Sequence, residues 1–163
     1  MKYILANIFL MISLTSYSQT KITSQDLKII IGEWEGSITY LDYSSNKPFS
    51  MPANLVVNRG KDENILILKN IYPKEPKANS TSRIRLTKNG SLLNKHAIIS
   101  REKLENGPLQ IQTEHEAKDD GKKALIRYTY TIGSDQFSIR KDVQFEAAAD
   151  WIKRSEFSYQ RKK

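Results

Sequence analysis

At Trp34 the spacing of apolar residues changes, and from there onward it keeps a period of two. Trp34, Gly36, Ile38 and Tyr40 alternate with Glu35, Ser37 and Thr39, so one face of the stretch carries the large apolar groups and the other the polar ones. A strand with one apolar face has to bury it against other elements. Here the rest of the chain supplies more strands: Met51 to Val57, Ile65 to Asn70, Arg83 to Thr87, His96 to Glu102, Leu109 to Glu116, Ala124 to Ile132, Phe137 to Val143 and Trp151 to Arg161. Between them stand turn formers such as Lys88-Asn89-Gly90-Ser91, Asp119-Asp120-Gly121-Lys122 and Gly133-Ser134-Asp135, which close hairpins. Nine strands joined mainly by short turns, with no βαβ alternation, predict an all-β fold. The expected architecture is an up-and-down antiparallel β-barrel of about 8–10 strands, since closure removes exposed edges.

Two segments precede that sheet. Met1-Lys2 gives a positive start, Tyr3 to Leu14 is almost wholly apolar, and Ser16-Tyr17-Ser18 offers small residues. This predicts a secretory signal over 1–18, cut after Ser18 or one residue later, and a single domain over 19–163. An apolar run of about 12 residues is too short for the roughly 20 of a spanning helix, so no membrane anchor is expected. The protein is expected to be exported, periplasmic or extracellular. With no cysteine in the chain, disulfides, thiolate metal sites and a lipoprotein anchor are excluded. Next, Thr23-Ser24-Gln25-Asp26-Leu27 supplies N-caps and Leu27, Ile30 and Ile31 fall at helical spacing. About two turns of helix from Ser24 to Ile31 are predicted, lying across one end of the barrel and stopped by Gly32.

One contact follows from topology. In an up-and-down barrel the last strand lies beside the first, antiparallel, so its end meets the other's beginning. Phe157, Tyr159 and Arg161 share a face. If that face is the inner one, Arg161 reaches Trp34, and a guanidinium over an indole adds about 0.5–2 kcal/mol. Arg154, on the opposite face of that strand by strict alternation, is the competing choice.

These features together, Gly32-x-Trp34 after a short helix and an arginine near the end of the last strand, resemble the lipocalin/calycin superfamily. The longer form Gly32-Glu33-Trp34-Glu35-Gly36 is similar to lipocalin-like bacterial domains and, more distantly, to nitrobindin-type haem barrels. The resemblance implies a barrel closed at Trp34 and open at the other end. Gly32, Trp34, Gly36 and Arg161 would form the floor, with Gly36 leaving room beside the indole. It also implies small-molecule binding.

The chemistry-bearing residues are few. His96 and His115 are the only histidines. His115 alternates with Thr113 and Ile111, which points it inward near the mouth. A nitrobindin-like haem site needs an inward histidine late in the chain, and none follows His115, so no cofactor is assigned. Neither thiolates nor a close histidine pair support a metal site. Glu114, Glu116, Asp119 and Asp120 read as a solvated hairpin tip neutralised by nearby lysines. No serine–histidine–aspartate spacing and no Gly-x-Ser-x-Gly is present. Asp42 follows Trp34, Ile38 and Tyr40 on the inner face, and Tyr40, Tyr128 and Tyr130 offer flat apolar bodies with hydroxyl tips.

The formal charge of +8 is spread along the chain without an aromatic-interleaved basic run, which argues against nucleic acid. The expectation is an exported, non-enzymatic lipocalin-like protein that binds a small, mainly apolar ligand. Ile38, Tyr40, Ile111, Tyr128 and Tyr130 would line the cavity, with Asp42 and His115 near the mouth. Two alternatives stay open. One is a protein-binding barrel, a protease inhibitor or envelope-assembly factor, acting through its rim and the Tyr72–Pro76 loop. The other is a barrel isomerase or lyase with Asp42 or His115 as base.

Overall fold

The computed structural model describes residues 20–105, 107–146 and 148–163, so the predicted signal segment lies outside the described residues. Helix α1 (Ser24–Lys28) begins where the Asp26 carboxylate accepts hydrogen bonds from the Thr23 backbone N–H and hydroxyl, at 2.8 and 3.0 Å. It ends three residues before the predicted Ile31. The carbonyls of Ile29 and Ile31 leave the helical ladder and accept instead from the Arg161 guanidinium, at 2.5 and 3.0 Å.

Eleven strands follow: β1 (Gly32–Asp42), β2 (Lys47–Pro52), β3 (Asn54–Arg59), β4 (Ile65–Ile71), β5 (Ser80–Arg85), β6 (Leu92–Leu93), β7 (His96–Lys103), β8 (Leu109–Asp119), β9 (Lys122–Ile132), β10 (Gln136–Phe145) and β11 (Ile152–Arg161). They form one antiparallel sheet in the order β5-β4-β3-β1-β11-β10-β9-β8-β7-β6, with β2 beside β1. A single bridge, Leu86 to Leu93, joins the two ends and makes the sheet a nearly closed barrel. The all-β antiparallel barrel read from the alternation is what the chain forms.

The predicted strand from Met51 to Val57 is two strands. Both pair with β1, β2 along Ser37–Asp42 and β3 along Gly32–Trp34. The break falls after Pro52, which has no N–H to continue a ladder. The ladder restarts through Ala53, whose N–H donates to the Gly36 carbonyl at 2.9 Å. Strand β2 begins four residues earlier than that prediction, at Lys47. Strand β6, two residues long, carried no alternation to detect. It is set by a two-residue turn in which Asn94 and Lys95 both take positive φ, 53° and 73°, the geometry that tight hairpins require.

The barrel has unequal walls. Strands β1, β8, β9, β10 and β11 run 10 or 11 residues, whereas β3, β4 and β5 run 6 or 7. At about 3.3 Å per residue the strands on one side are roughly 60% as long as those on the other.

The short side and the lower half of the long side enclose the floor. There Trp34, Leu55, Val57, Leu66, Ile84, Leu93, Ile111 and Phe137 are all at most 2% exposed, covered from below by Leu27 and Ile30 of the α1 segment. Each such side chain contributes about 1.5–3 kcal/mol of burial.

Trp34 sits at the centre of this cluster. Its indole Nε1 donates to the Ile30 carbonyl at 2.8 Å, and Arg161, its direct cross-strand partner, lays a guanidinium 4.2 Å from the ring centre. Arg161 also donates to the Ser134 carbonyl, so one side chain ties β1, the helix end and the β9–β10 turn together. Gly36 departs from expectation. The space where its Cβ would stand is filled by β11, with the Ser158 carbonyl oxygen 2.0 Å and the Tyr159 ring 2.8 Å from that position. It leaves room for the neighbouring strand and Tyr159 rather than for the indole.

Two substitutions test the floor. Trp34→Ala and Arg161→Ala each destabilise the protein, and the double variant loses less than their sum by about 0.5–2 kcal/mol, measured by urea unfolding. Additive losses would show that the ring and the guanidinium act independently.

Candidate functional site

Above the floor the character of the inner wall changes. Alternation and register place Ile38 and Tyr40 (β1), His96 (β7), Thr113 and His115 (β8), Tyr128 (β9), Ile139 and Lys141 (β10) and Phe157 (β11) on the inward face. Except for Thr113, all of these stay partly exposed, where the floor residues are fully buried. Aromatic rings dominate the surface. Tyr40 packs against Phe49 with ring centres 5.4 Å apart, Tyr128 against Tyr130 at 6.3 Å, and Phe157 against Tyr159 at 5.9 Å.

His96 and His115 stand one step beyond the Ala97–Glu114 pair of β7 and β8. Their rings stack at 3.5 Å with 15° between planes, and His115 continues the stack onto Tyr128 at 6.1 Å. Burial lowers the pKa of both imidazoles, and for His115 the adjacent His96 and Lys141 lower it further. Both rings are therefore neutral at pH 7. His115 Nδ1 and the hydroxyl of Thr113, two residues below it, are buried with no hydrogen-bond partner among the described residues. A buried polar atom without a partner costs about 1–3 kcal/mol. Two of them on one patch of wall mark a place suited to a bound polar group.

At the rim the hub is Asp119. Its carboxylate accepts from the Tyr43 hydroxyl at 2.7 Å and from Lys141, and Arg154 Nε lies 3.5 Å away. Burial raises the Asp119 pKa, but the Lys141 and Tyr43 hydrogen bonds and the charges of Lys141 and Arg154 outweigh it, leaving it below the ordinary value. Arg154 also stacks its guanidinium 4.1 Å from the Tyr43 ring and donates to the Leu41 carbonyl. Burial and the bond to Asp119 push the Tyr43 pKa far up. This clasp ties the end of β1 to β8, β10 and β11.

Asp119, expected in a solvated hairpin tip, is only 9% exposed. The signal that finds it is parity, since it continues Ile111, Thr113, His115 and Ala117 on the inward face. Arg154 was placed away from the interior. A β-bulge opposite Lys141 and Asp142 shifts the register of β11 there, and alternation alone gives no sign of that extra residue.

The other expected site residues divide. Ile38, Tyr40 and Tyr128 line the open upper wall. Tyr130 is 4% exposed, its pKa pushed up to about 12 by burial, and its hydroxyl meets Asn94 at 3.5 Å. Ile111, fully buried, belongs to the floor cluster and lies below the accessible wall. Asp42 stands at the mouth, but its carboxylate is consumed by its own turn, accepting from the Ser45 and Ser44 hydroxyls at 2.7 Å each and from the Ser44 N–H at 3.0 Å. Those bonds bring its pKa down to about 2, which makes it a poor base at neutral pH. The Tyr72–Pro76 loop ends in a single 3-10 turn, Pro76–Ala78. Among the described residues no group of three or more His, Asp or Glu is placed to hold a metal ion. The two stacked imidazoles alone are an incomplete set.

No family model matches the chain, and no curated protein matches it. Among solved structures, Rv2717c from M. tuberculosis is similar at 12% identity, covering 88% of this chain and 100% of that one with a TM-score of 0.51. A protein of unknown function from the DUF3598 family of Nostoc punctiforme aligns at 13% identity over 87% of this chain and 50% of that one, with a TM-score of 0.41. At such identity the first likeness concerns the fold alone.

Two measurements test the polar clusters. Tyr43→Phe removes a hydrogen bond to a charged carboxylate and lowers stability by about 1.5–3 kcal/mol at neutral pH. Because the folded-state pKa of Asp119 is depressed, that contribution is present above about pH 3.9 and disappears as pH falls through its lower folded value. An unchanged difference down to pH 2 would show that the charge of Asp119 is irrelevant to the clasp. The histidines act in another window. With both folded pKa values below about 6.5, the unfolded chain takes up protons first, so stability is full above that pH and declines below it. His115→Phe should flatten that decline in pH-dependent unfolding; an equally steep decline would place its origin elsewhere.

Proposed function

We propose that this is an exported, non-enzymatic, lipocalin-like protein that binds a small, mainly apolar molecule bearing at least one polar group. The binding place is the upper half of the barrel. The observation that carries the reading is the contrast between a sealed floor and an accessible aromatic wall above it. Tyr40, Tyr128 and Phe157 are partly exposed, and a ligand covering them would gain roughly 25 cal/mol per Å² of apolar surface. The unpartnered His115 Nδ1 and Thr113 hydroxyl lie on the same wall, suited to the ligand's polar group. Neutral imidazole and hydroxyl favour an uncharged donor or acceptor there over an ionised one. The low barrel side, where β4 stops at Ile71 beneath the free edge of β2, is the entrance. Binding is favoured over catalysis because one of the two candidate bases, Asp42, is held acidic by its serines, and the other, His115, has no carboxylate partner to orient it among the described residues.

The test is native mass spectrometry of protein purified from its own host, paired with titration of a neutral apolar fluorophore. A retained small molecule, and displaceable fluorophore binding weakened about tenfold by Tyr128→Ala, are expected. Neither a retained molecule nor saturable fluorophore binding would end the proposal.

A further inference from the structure

The only charged residues on β3, β4 and β5 are basic. These three strands, NLVVNR, ILILKNI and STSRIR, contain no acidic residue. Elsewhere several outward cations are paired, although Lys103, Lys118 and Lys123 are exposed without an ion pair among the described residues. Arg127 meets Glu114 at 2.5 Å and Arg140 meets Asp142 at 2.7 Å, while Lys153 pairs with Glu156. On the β3–β5 side Arg59, Lys61, Arg83 and Arg85 are all exposed, and none makes an ion pair among the described residues. They rim a groove of about 610 Å³ whose base is Ile65 and Ile67. Cross-strand register explains the arrangement, since Arg85 stands opposite Ile65 and Arg83 opposite Ile67. Farther along the same strand Lys69 adds another exposed cation, and Ile71 at its end is 37% exposed.

Unpaired cations around an apolar strip match an occupant that is anionic and apolar at once. We propose that the β3–β5 face docks the protein onto an anionic phospholipid surface. The guanidinium and ammonium groups meet the lipid phosphates, and Ile65, Ile67 and Ile71 contact the acyl region just beneath. Cations close to such a surface are drawn to it electrostatically. An acidic protein or a soluble polyanion would satisfy the charges and leave the isoleucines without a role. The geometry adds a consequence. This face is also the low side of the barrel, below the free edge of β2 and the exposed Phe49, so docking brings the opening toward the lipid. The docking does not require that the interior carry a ligand.

The experiment is co-sedimentation of the protein with vesicles of phosphatidylglycerol and phosphatidylcholine, against vesicles of phosphatidylcholine alone. Binding to the anionic vesicles only, weakened by salt, is expected. Arg83→Glu with Arg85→Glu should lower that binding at least tenfold. A control of equal net charge, Lys118→Glu with Lys123→Glu on the β8–β9 hairpin, should change it less than threefold. If the reversal variant does not show the far-ultraviolet circular dichroism of the parent, Arg83→Gln with Arg85→Gln replaces it, with a loss of at least threefold expected. Three results would overturn the proposal: no binding to anionic vesicles, equal losses in the reversal pair and its control, or soluble polyglutamate competing with the vesicles at equal charge concentration.

Discussion

The contact between Arg161 and Trp34 is the constraint on which the barrel depends. A meander of strands has no intrinsic reason to close, because each hairpin is satisfied locally and the sheet's ends are free. Here the last strand must find the first across the whole length of the chain, a pairing with a high loop-closure cost. The register Trp34–Arg161 through Tyr40–Ser155 meets that cost with seven cross-strand pairs. One guanidinium then fixes the end of that ladder by serving the indole face, the carbonyls of Ile29 and Ile31, and the Ser134 carbonyl. Lysine would not do this, since its ammonium lacks the planar fork that reaches several acceptors while stacking.

Concentrating stability at the floor leaves the other end less constrained. The large apolar cluster reaches Tyr130, with the partly exposed Tyr128, Ile139 and Phe157 packed against it, and above it the inner wall is held by the Asp119 clasp and a small second cluster of Ala124, Ile126 and Val143. Accessible aromatics there cost little, because the fold does not rely on burying them. The division also explains the unequal walls. Strands β3, β4 and β5 are long enough to wall the floor and no longer, while the long strands rise past them and carry the residues suited to a ligand.

How far the sequence reveals this varies by residue. The period of two, the hairpin turns and the partnership of Trp34 with Arg161 are legible because they are consequences of alternation and topology. So is the inward placement of His115, Tyr40 and Tyr128. The stacking of His96 on His115 was not, since it depends on the register of β7 against β8, and nothing local in either strand specifies that register. The break at Ala53 and the bulge at Arg154 escaped for a related reason: each inserts an irregularity into a regular pattern, and patterns are read by assuming regularity. Tyr43, beyond the alternating run, could be assigned only once Asp119 and Arg154 were known to face it. The clasp is therefore a property of assembled strands, invisible to any one of them.

The distribution of charge carries the last step. A chain with a formal charge of +8 gains nothing in folding from cations it leaves unpaired, and their mutual repulsion opposes the compact state. On β8–β11 some outward cations have an acidic partner two residues away or directly across the ladder, as Arg140 has Asp142 and Arg127 has Glu114, while Lys118 and Lys123 face each other. The sheet compensates part of its charge on the long wall and none on the short one, where β3, β4 and β5 offer no carboxylate to the arginines beside Ile65 and Ile67. Folding alone would be served equally well by glutamate opposite one of those positions, as on β8 and β9. The uncompensated side is also the side of the shorter strands, so the surface proposed to meet an anionic partner and the proposed entrance for an apolar molecule are adjacent on one wall.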